Sequence, residues 1–214
     1  MNSENTSIPV IDVGSLSGQS PSSALYSSFY EAYHHLGFGY IVNHGIEPAL
    51  VESVFDASRR FHAMPLEEKM KIALDRKHRG YIAINTSTDV NSQLAEVKKP
   101  NQSASFMMMR EDREETAGVY LSGPNQWPEL DGFRPVLEKF NAELERLAQK
   151  LMRVALVSAG VQDLSVMEKF VKPTTWLRLL HYPPLPKGSP VDLYGSAPHT
   201  DFGCLTILVQ DDIG

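Results

Sequence analysis

Ala197-Pro198-His199-Thr200-Asp201-Phe202-Gly203, followed by the apolar run Cys204-Leu205-Thr206-Ile207-Leu208-Val209, is the stretch on which the reading of this chain turns. The run is aliphatic and partly β-branched, which predicts a strand. On an extended backbone, side chains two positions apart point the same way, so His199 and Asp201 would project together while Thr200 points away. One imidazole nitrogen and one carboxylate oxygen suit a first-row metal such as Fe(II), and a second histidine would complete a facial triad with open positions. No histidine follows His199 before Gly214.

Upstream, the texture is β from Thr174 to Tyr182, where Trp176, Arg178, Leu180 and Tyr182 would share one strand face before Pro183-Pro184 halts it. Before Pro173 the chain reads as helical and mixed. Ile8 to Asp12 predicts a short opening strand. Leu25, Phe29, Ala32, Tyr33 and Leu36 predict a helix over 24–36 that Gly37 closes. A strand is expected over 38–43, a helix from about Pro48 to Phe61, and a third from Pro65, with proline and carboxylates in its first turn. Val136, Leu137, Phe140, Leu144, Leu147, Leu151, Val154 and Ala155 keep helical spacing over 133–159, and Leu164 to Phe170 predicts a short helix. Between Arg76 and Glu115 no period decides, and Tyr81–Ile84 and Ser105–Met109 are strand candidates; Gly118 to Asp131 predicts an irregular connection.

Composition limits the function classes. A hydrophobic share of 42% and a charged share of 21% are those of a folded globular chain. A net charge of −6 gives no electrostatic reason to expect nucleic acid or an anionic membrane as partner. The N-terminal residues do not read as a secretory signal, and no apolar stretch is long enough to span a bilayer. The single cysteine, Cys204, excludes an internal disulfide, predicts a buried thiol in a strand and fits a cytoplasmic setting. Among the other histidines, His44 is expected to have a structural role in the turn after a strand. His34, His35, His62 and His78 are read as surface or helix positions, and His181 as a satisfied core or interface side chain.

The motifs in order resemble one family. Ile8-Pro9-Val10-Ile11-Asp12, Gly37-Phe38-Gly39-Tyr40-Ile41-Val42-Asn43-His44-Gly45-Ile46, Phe61 through Lys69, Gly80-Tyr81, Asn125-Gln126-Trp127-Pro128, Leu177 through Pro184 and His199 through Leu208 are similar to the isopenicillin N synthase-like branch of the 2-oxoglutarate and Fe(II)-dependent dioxygenases. The resemblance implies an α+β fold: a distorted double-stranded β-helix, or jelly roll, behind a helical N-terminal region, with the C-terminal part of the β domain missing from this chain. The implied division is an N-terminal dioxygenase region over 1–120, scaffold helices over 121–173 and the start of the β domain over 174–214.

The same resemblance implies that His199 and Asp201 are iron ligands and that Tyr182 lies near the cosubstrate. It puts a second histidine and an Arg-x-Ser motif beyond Gly214. The implied activity is oxidation of a small organic metabolite, by hydroxylation or desaturation, with Fe(II), 2-oxoglutarate and O2. The alternatives are a non-catalytic fragment of such an enzyme, or an oxidase of the isopenicillin N synthase type that does not use 2-oxoglutarate. Neither nucleic acid nor membrane is expected as partner, and the oligomeric state is not legible.

Overall fold

The computed structural model describes residues 7–18, 21–88, 92, 94, 96–112, 116, 118–119, 121–201 and 203–213. They form two compact units, one from residues up to Val51 with Ala142–Lys172 and Cys204 onward, the other from Glu52–Asn141 and Pro173–Gly203. Two of the four divisions, after Val51 and after Asn141, fall inside helices.

In the first unit, strand β1 (Val10–Asp12) pairs in parallel with β2 (Tyr40–Val42), Ile11 opposite Ile41. Helix α1 (Ser23–His35) connects them. The Ser22 hydroxyl accepts a hydrogen bond from the Leu25 N–H at 3.2 Å and so caps the helix start. Gly37 ends it in the left-handed region at φ 81°, its N–H returning to the Ala32 carbonyl at 3.1 Å. Leu25, Phe29 and Ala32 recur at helical spacing and are buried with Ile11, Val13, Leu147, Leu151 and Val154. The last three belong to α4 (Phe133–Ser158), which the periodicity predicts to within a residue. Burial of this many aliphatic side chains, each contributing about 1.5–3 kcal/mol, is what holds the short parallel pair in place.

The second unit is built on a three-stranded antiparallel sheet in the order β3 (Gly80–Ile82), β4 (Ala104–Met109), β5 (Trp176–His181). Ser105 lies opposite Leu180, and Met107 opposite Arg178. Directly opposed residues share a face. One face therefore carries Tyr81, Phe106, Met108, Leu177 and Leu179, and the other Ser105, Met107, Met109, Trp176, Arg178 and Leu180.

The first of these faces builds the core. Phe61, at the end of α2 (Pro48–His62), packs with its ring centroid 5.3 Å from both Phe106 and Phe133, and all three are fully buried. The short α3 (Leu66–Met70) follows, and the Lys69 ammonium donates to the His62 carbonyl at 2.6 Å, placing a cation at the negative end of α2. Gly80 sits at φ 112°, where a Cβ would lie 2.2 Å from the Ile72 carbonyl oxygen, so only glycine admits the close pairing of this edge.

Candidate metal centre

Strand β5 delivers the residues that matter. Tyr182 follows its last residue, and the ring lies against Gly195, where a Cβ would come within 2.9 Å of Tyr182 Cδ1. Pro183-Pro184 cannot continue the ladder, and the chain enters a long loop that returns to the start of β4. There it is held at several points. The Gln102 N–H donates to the Tyr194 carbonyl at 2.8 Å, the Ala197 N–H to Asn101 Oδ1 at 3.0 Å, and the Ser92 hydroxyl to the Pro198 carbonyl. The Lys99 ammonium reaches Asp192 at 2.5 Å and holds that carboxyl below the usual range by hydrogen bonding.

On the loop so fixed, His199 Nε2 lies 3.3 Å from Asp201 Oδ1. The two side chains converge, and both are about half exposed. His199 Nδ1 lies 2.7 Å from the Ala197 carbonyl oxygen. A carbonyl only accepts, so Nδ1–H is the donor in this contact, and Nε2 is the nitrogen that a metal would take. A metal-binding histidine ordinarily donates its other ring N–H in this way. The donor chemistry, one neutral imidazole nitrogen and one carboxylate, fits a first-row divalent ion. Among the described residues no third histidine, cysteine, aspartate or glutamate joins them.

Two sequence expectations are corrected here. Cys204 through Val209 forms no ladder, because a strand needs a hydrogen-bonded neighbour and no described segment pairs with it. For the same reason Cys204 is exposed rather than buried in a sheet. His199 and Asp201 therefore meet on an irregular loop and not on a paired strand.

The remaining histidines sort by environment. His44 Nδ1 accepts the Ile46 N–H at 3.2 Å within its own turn. His35 pairs with Glu31 at 3.1 Å on the exposed side of α1. His181 is exposed, not a core side chain, and stacks at 5.0 Å on His62. His62 sits on a helix as expected but is largely buried, with Nε2 3.3 Å from the Leu179 carbonyl and Nδ1 without a partner among the described residues.

Burial holds the His62 imidazole down at about 4, against 6.5 for the free group, despite the opposing hydrogen bond to Leu179; His181 and Lys69 lower it further. In the unfolded chain this position takes up a proton as pH falls below 6.5, and in the folded chain only near 4. Stability from this residue is therefore complete above pH 6.5 and is lost as pH falls toward 4, by at most about 3 kcal/mol. Urea unfolding midpoints should drop between about pH 7 and about pH 4.5, and His62→Gln should flatten that dependence; equal slopes for the two proteins would count against the buried neutral imidazole.

Side chains that no local pattern announces organise the rest of this unit. The Arg79 guanidinium, 1% exposed, donates to Asn125 Oδ1 at 3.1 Å and to the carbonyls of Lys77, Leu121 and Arg110 at 3.0, 2.7 and 3.1 Å. Asn125 also bridges both backbone groups of Met109, at 2.9 and 2.8 Å. Asn101 reaches Ala197 across 96 positions. Spacing carries no signal for partners this distant in the chain.

The chain is similar to proteins of one kind. The family model for the non-haem dioxygenase in morphine synthesis N-terminal region matches residues 8–130. A 2-oxoglutarate-Fe(II) type oxidoreductase of Emericella nidulans is 32% identical, over 97% of this chain and 62% of that protein. Azadirone synthase of Melia azedarach is 30% identical, over 83% of this chain and 54% of its own length. The chain thus spans between about half and three fifths of these relatives. A full-length Neurospora crassa protein, solved in complex with alpha-KG and thymine, superposes with a TM-score of 0.65 and 27% identity, covering 86% of this chain and 57% of that one. JOX2 in complex with 2OG, Fe and JA shares the fold at a TM-score of 0.67 and 24% identity, over 92% and 53%. The fold is accordingly that of the jelly-roll oxygenases, with the helical N-terminal region the motifs imply. With the family match covering more than half of its length, the chain belongs to the non-haem dioxygenase N-terminal family, in the isopenicillin N synthase-like branch of the 2-oxoglutarate/Fe(II) dioxygenases.

Proposed function

We propose that the full-length protein is a non-haem Fe(II) and 2-oxoglutarate-dependent dioxygenase that oxidises a small organic metabolite. The observation that carries this reading is the convergence of His199 Nε2 and Asp201 Oδ1 at 3.3 Å on a loop anchored to the sheet, in a chain of this family. His199 and Asp201 would hold the iron, and Tyr182, half exposed at the end of β5, would offer its hydroxyl to a cosubstrate carboxylate. Bound iron supplies activation of O2 at open coordination positions. The overall balance is R–H + 2-oxoglutarate + O2 → R–OH + succinate + CO2, with desaturation as the variant in which a second hydrogen is lost and water forms.

The sheet face bearing Met107, Met109, Trp176 and Leu180 around the Arg178 guanidinium supports a small substrate that is mostly apolar with one polar or anionic group. Arg178 Nε donates to the buried Ser105 hydroxyl at 2.9 Å, which fixes the direction of the cation. The Neurospora crassa structure contains thymine and the JOX2 structure JA, which supports a small molecule as the substrate class. The exposed single thiol supports a reducing, cytoplasmic setting.

The test is turnover by the full-length protein, loaded anaerobically with Fe(II) and then given 2-oxoglutarate and air. Succinate should form in step with O2 uptake and stop on addition of a chelator. Folded, iron-loaded protein that consumes O2 without succinate would replace this reading with the oxidase that takes its electrons from the substrate, and protein that retains no iron would overturn both.

A further inference from the structure

We infer that Asn101 is a positioning residue for the metal ligand His199, acting through the Ala197 peptide. This rests on the ligand reading above. The Ala197 N–H donates to Asn101 Oδ1 at 3.0 Å, and the carbonyl of the same residue receives the His199 Nδ1–H at 2.7 Å. The imidazole is thus oriented by a carbonyl on a residue whose own amide is held by a side chain on another segment. Asn101 is suited to this. It is 6% exposed, and its backbone is itself clamped, its N–H donating to the Ser87 carbonyl at 2.8 Å and its carbonyl accepting the Asn85 N–H at 3.3 Å. An amide oxygen held on so constrained a backbone has little freedom to follow a wandering loop, so it fixes the loop instead.

The consequence is a chain of three hydrogen-bonding groups running from the start of β4 to the ligand. Asn101 fixes Ala197, the Ala197 carbonyl receives the His199 Nδ1–H, and that contact aims Nε2 beside Asp201. Gln102, Ser92 and Lys99 hold the same loop at Tyr194, Pro198 and Asp192. They keep it near the sheet, whereas Asn101 holds the residue that supports the imidazole. Loss of the Asn101 oxygen should leave the fold in place and blur the ligand.

The experiment compares full-length wild type, Asn101→Ala, Asn101→Asp and His199→Ala by two readouts. Cobalt(II) is titrated in and followed by visible absorption, and the His199 ring nitrogen that keeps its proton in the zinc(II)-loaded protein is assigned by nitrogen NMR. Asn101→Ala should bind Co(II) about 10–100-fold more weakly and show a mixture of tautomers at His199. Asn101→Asp, which keeps an oxygen acceptor for the Ala197 N–H, should retain the Nδ1–H tautomer and most of the affinity. Folded Asn101→Ala with wild-type affinity and a single tautomer overturns the inference. So does loss of the tautomer preference in folded Asn101→Asp, which remains decisive if the alanine variant does not fold. Equal Co(II) binding by wild type and His199→Ala would instead sink the ligand assignment, a failure distinct from this one.

Discussion

Replacing His199 with alanine in the full-length protein should lower Fe(II)-dependent succinate formation by more than about 100-fold, since even the outer partners of a metal ligand are worth about 10–100-fold. The fold should barely notice. His199 is 45% exposed, and among the described residues its one other partner is the Ala197 carbonyl two residues away, so the stability change should stay within about 0.5 kcal/mol. Asp201→Asn tests the other donor with almost no change of shape: the amide keeps one oxygen but loses the charge that a hard divalent ion prefers. Both variants should unfold at the wild-type urea concentration while failing to retain iron after desalting. Near-normal turnover by His199→Ala would remove this imidazole from the iron.

The elements that can be read from sequence are those with one wet face. Helices α1 and α4 show a buried stripe against charged positions, so their 3.6-residue period survives in the sequence and their bounds come out within one or two residues. Strand β4 is different. Five of its six residues are buried, Ser105 among them, so the apolar and polar alternation that marks a half-exposed strand is missing and only a candidate can be named. The run from Cys204 to Val209 shows the converse. Strand-like composition describes what a segment can do, while a strand exists only where a neighbour offers its backbone groups.

The same division runs through the site. His199 and Asp201 are legible because their relation is local, two positions on one loop. Asn101 is not, because its role depends on which peptide lies beside it after folding. His62 reads as a surface or helix position and does lie on a helix; its burial is what the sequence does not show, because it comes from packing of the end of α2 against Leu179.

Arg79→Leu should cost the second unit about 3 kcal/mol or more, a large part of the roughly 5–15 kcal/mol by which domains are stable. The leucine fills much of the volume but donates nothing. Three part-buried carbonyls, those of Lys77, Leu121 and Arg110, would be stranded, and the buried side-chain oxygen of Asn125 would keep only the Met109 N–H among the described residues. Each orphaned acceptor costs about 1–3 kcal/mol, so the total remains large even if water reaches half of them. The electrostatic side offsets part of this: burial lowers the Arg79 pKa against the pull of Asp75, Asp112 and Glu111, and leucine escapes that cost of desolvating a charge.

Arg79→Lys should recover only part of the loss, because one ammonium cannot reach acceptors spread around a planar guanidinium. The two tryptophans of this chain, Trp127 and Trp176, both lie in the second unit, so indole fluorescence reports its unfolding selectively. With a slope of about 2 kcal/mol per molar urea, the midpoint for Arg79→Leu should fall by about 1.5 M and that for Arg79→Lys by roughly half as much. A shift of the leucine variant below about 0.3 M would mean that the loops around Arg79 are held by their apolar neighbours rather than by its guanidinium.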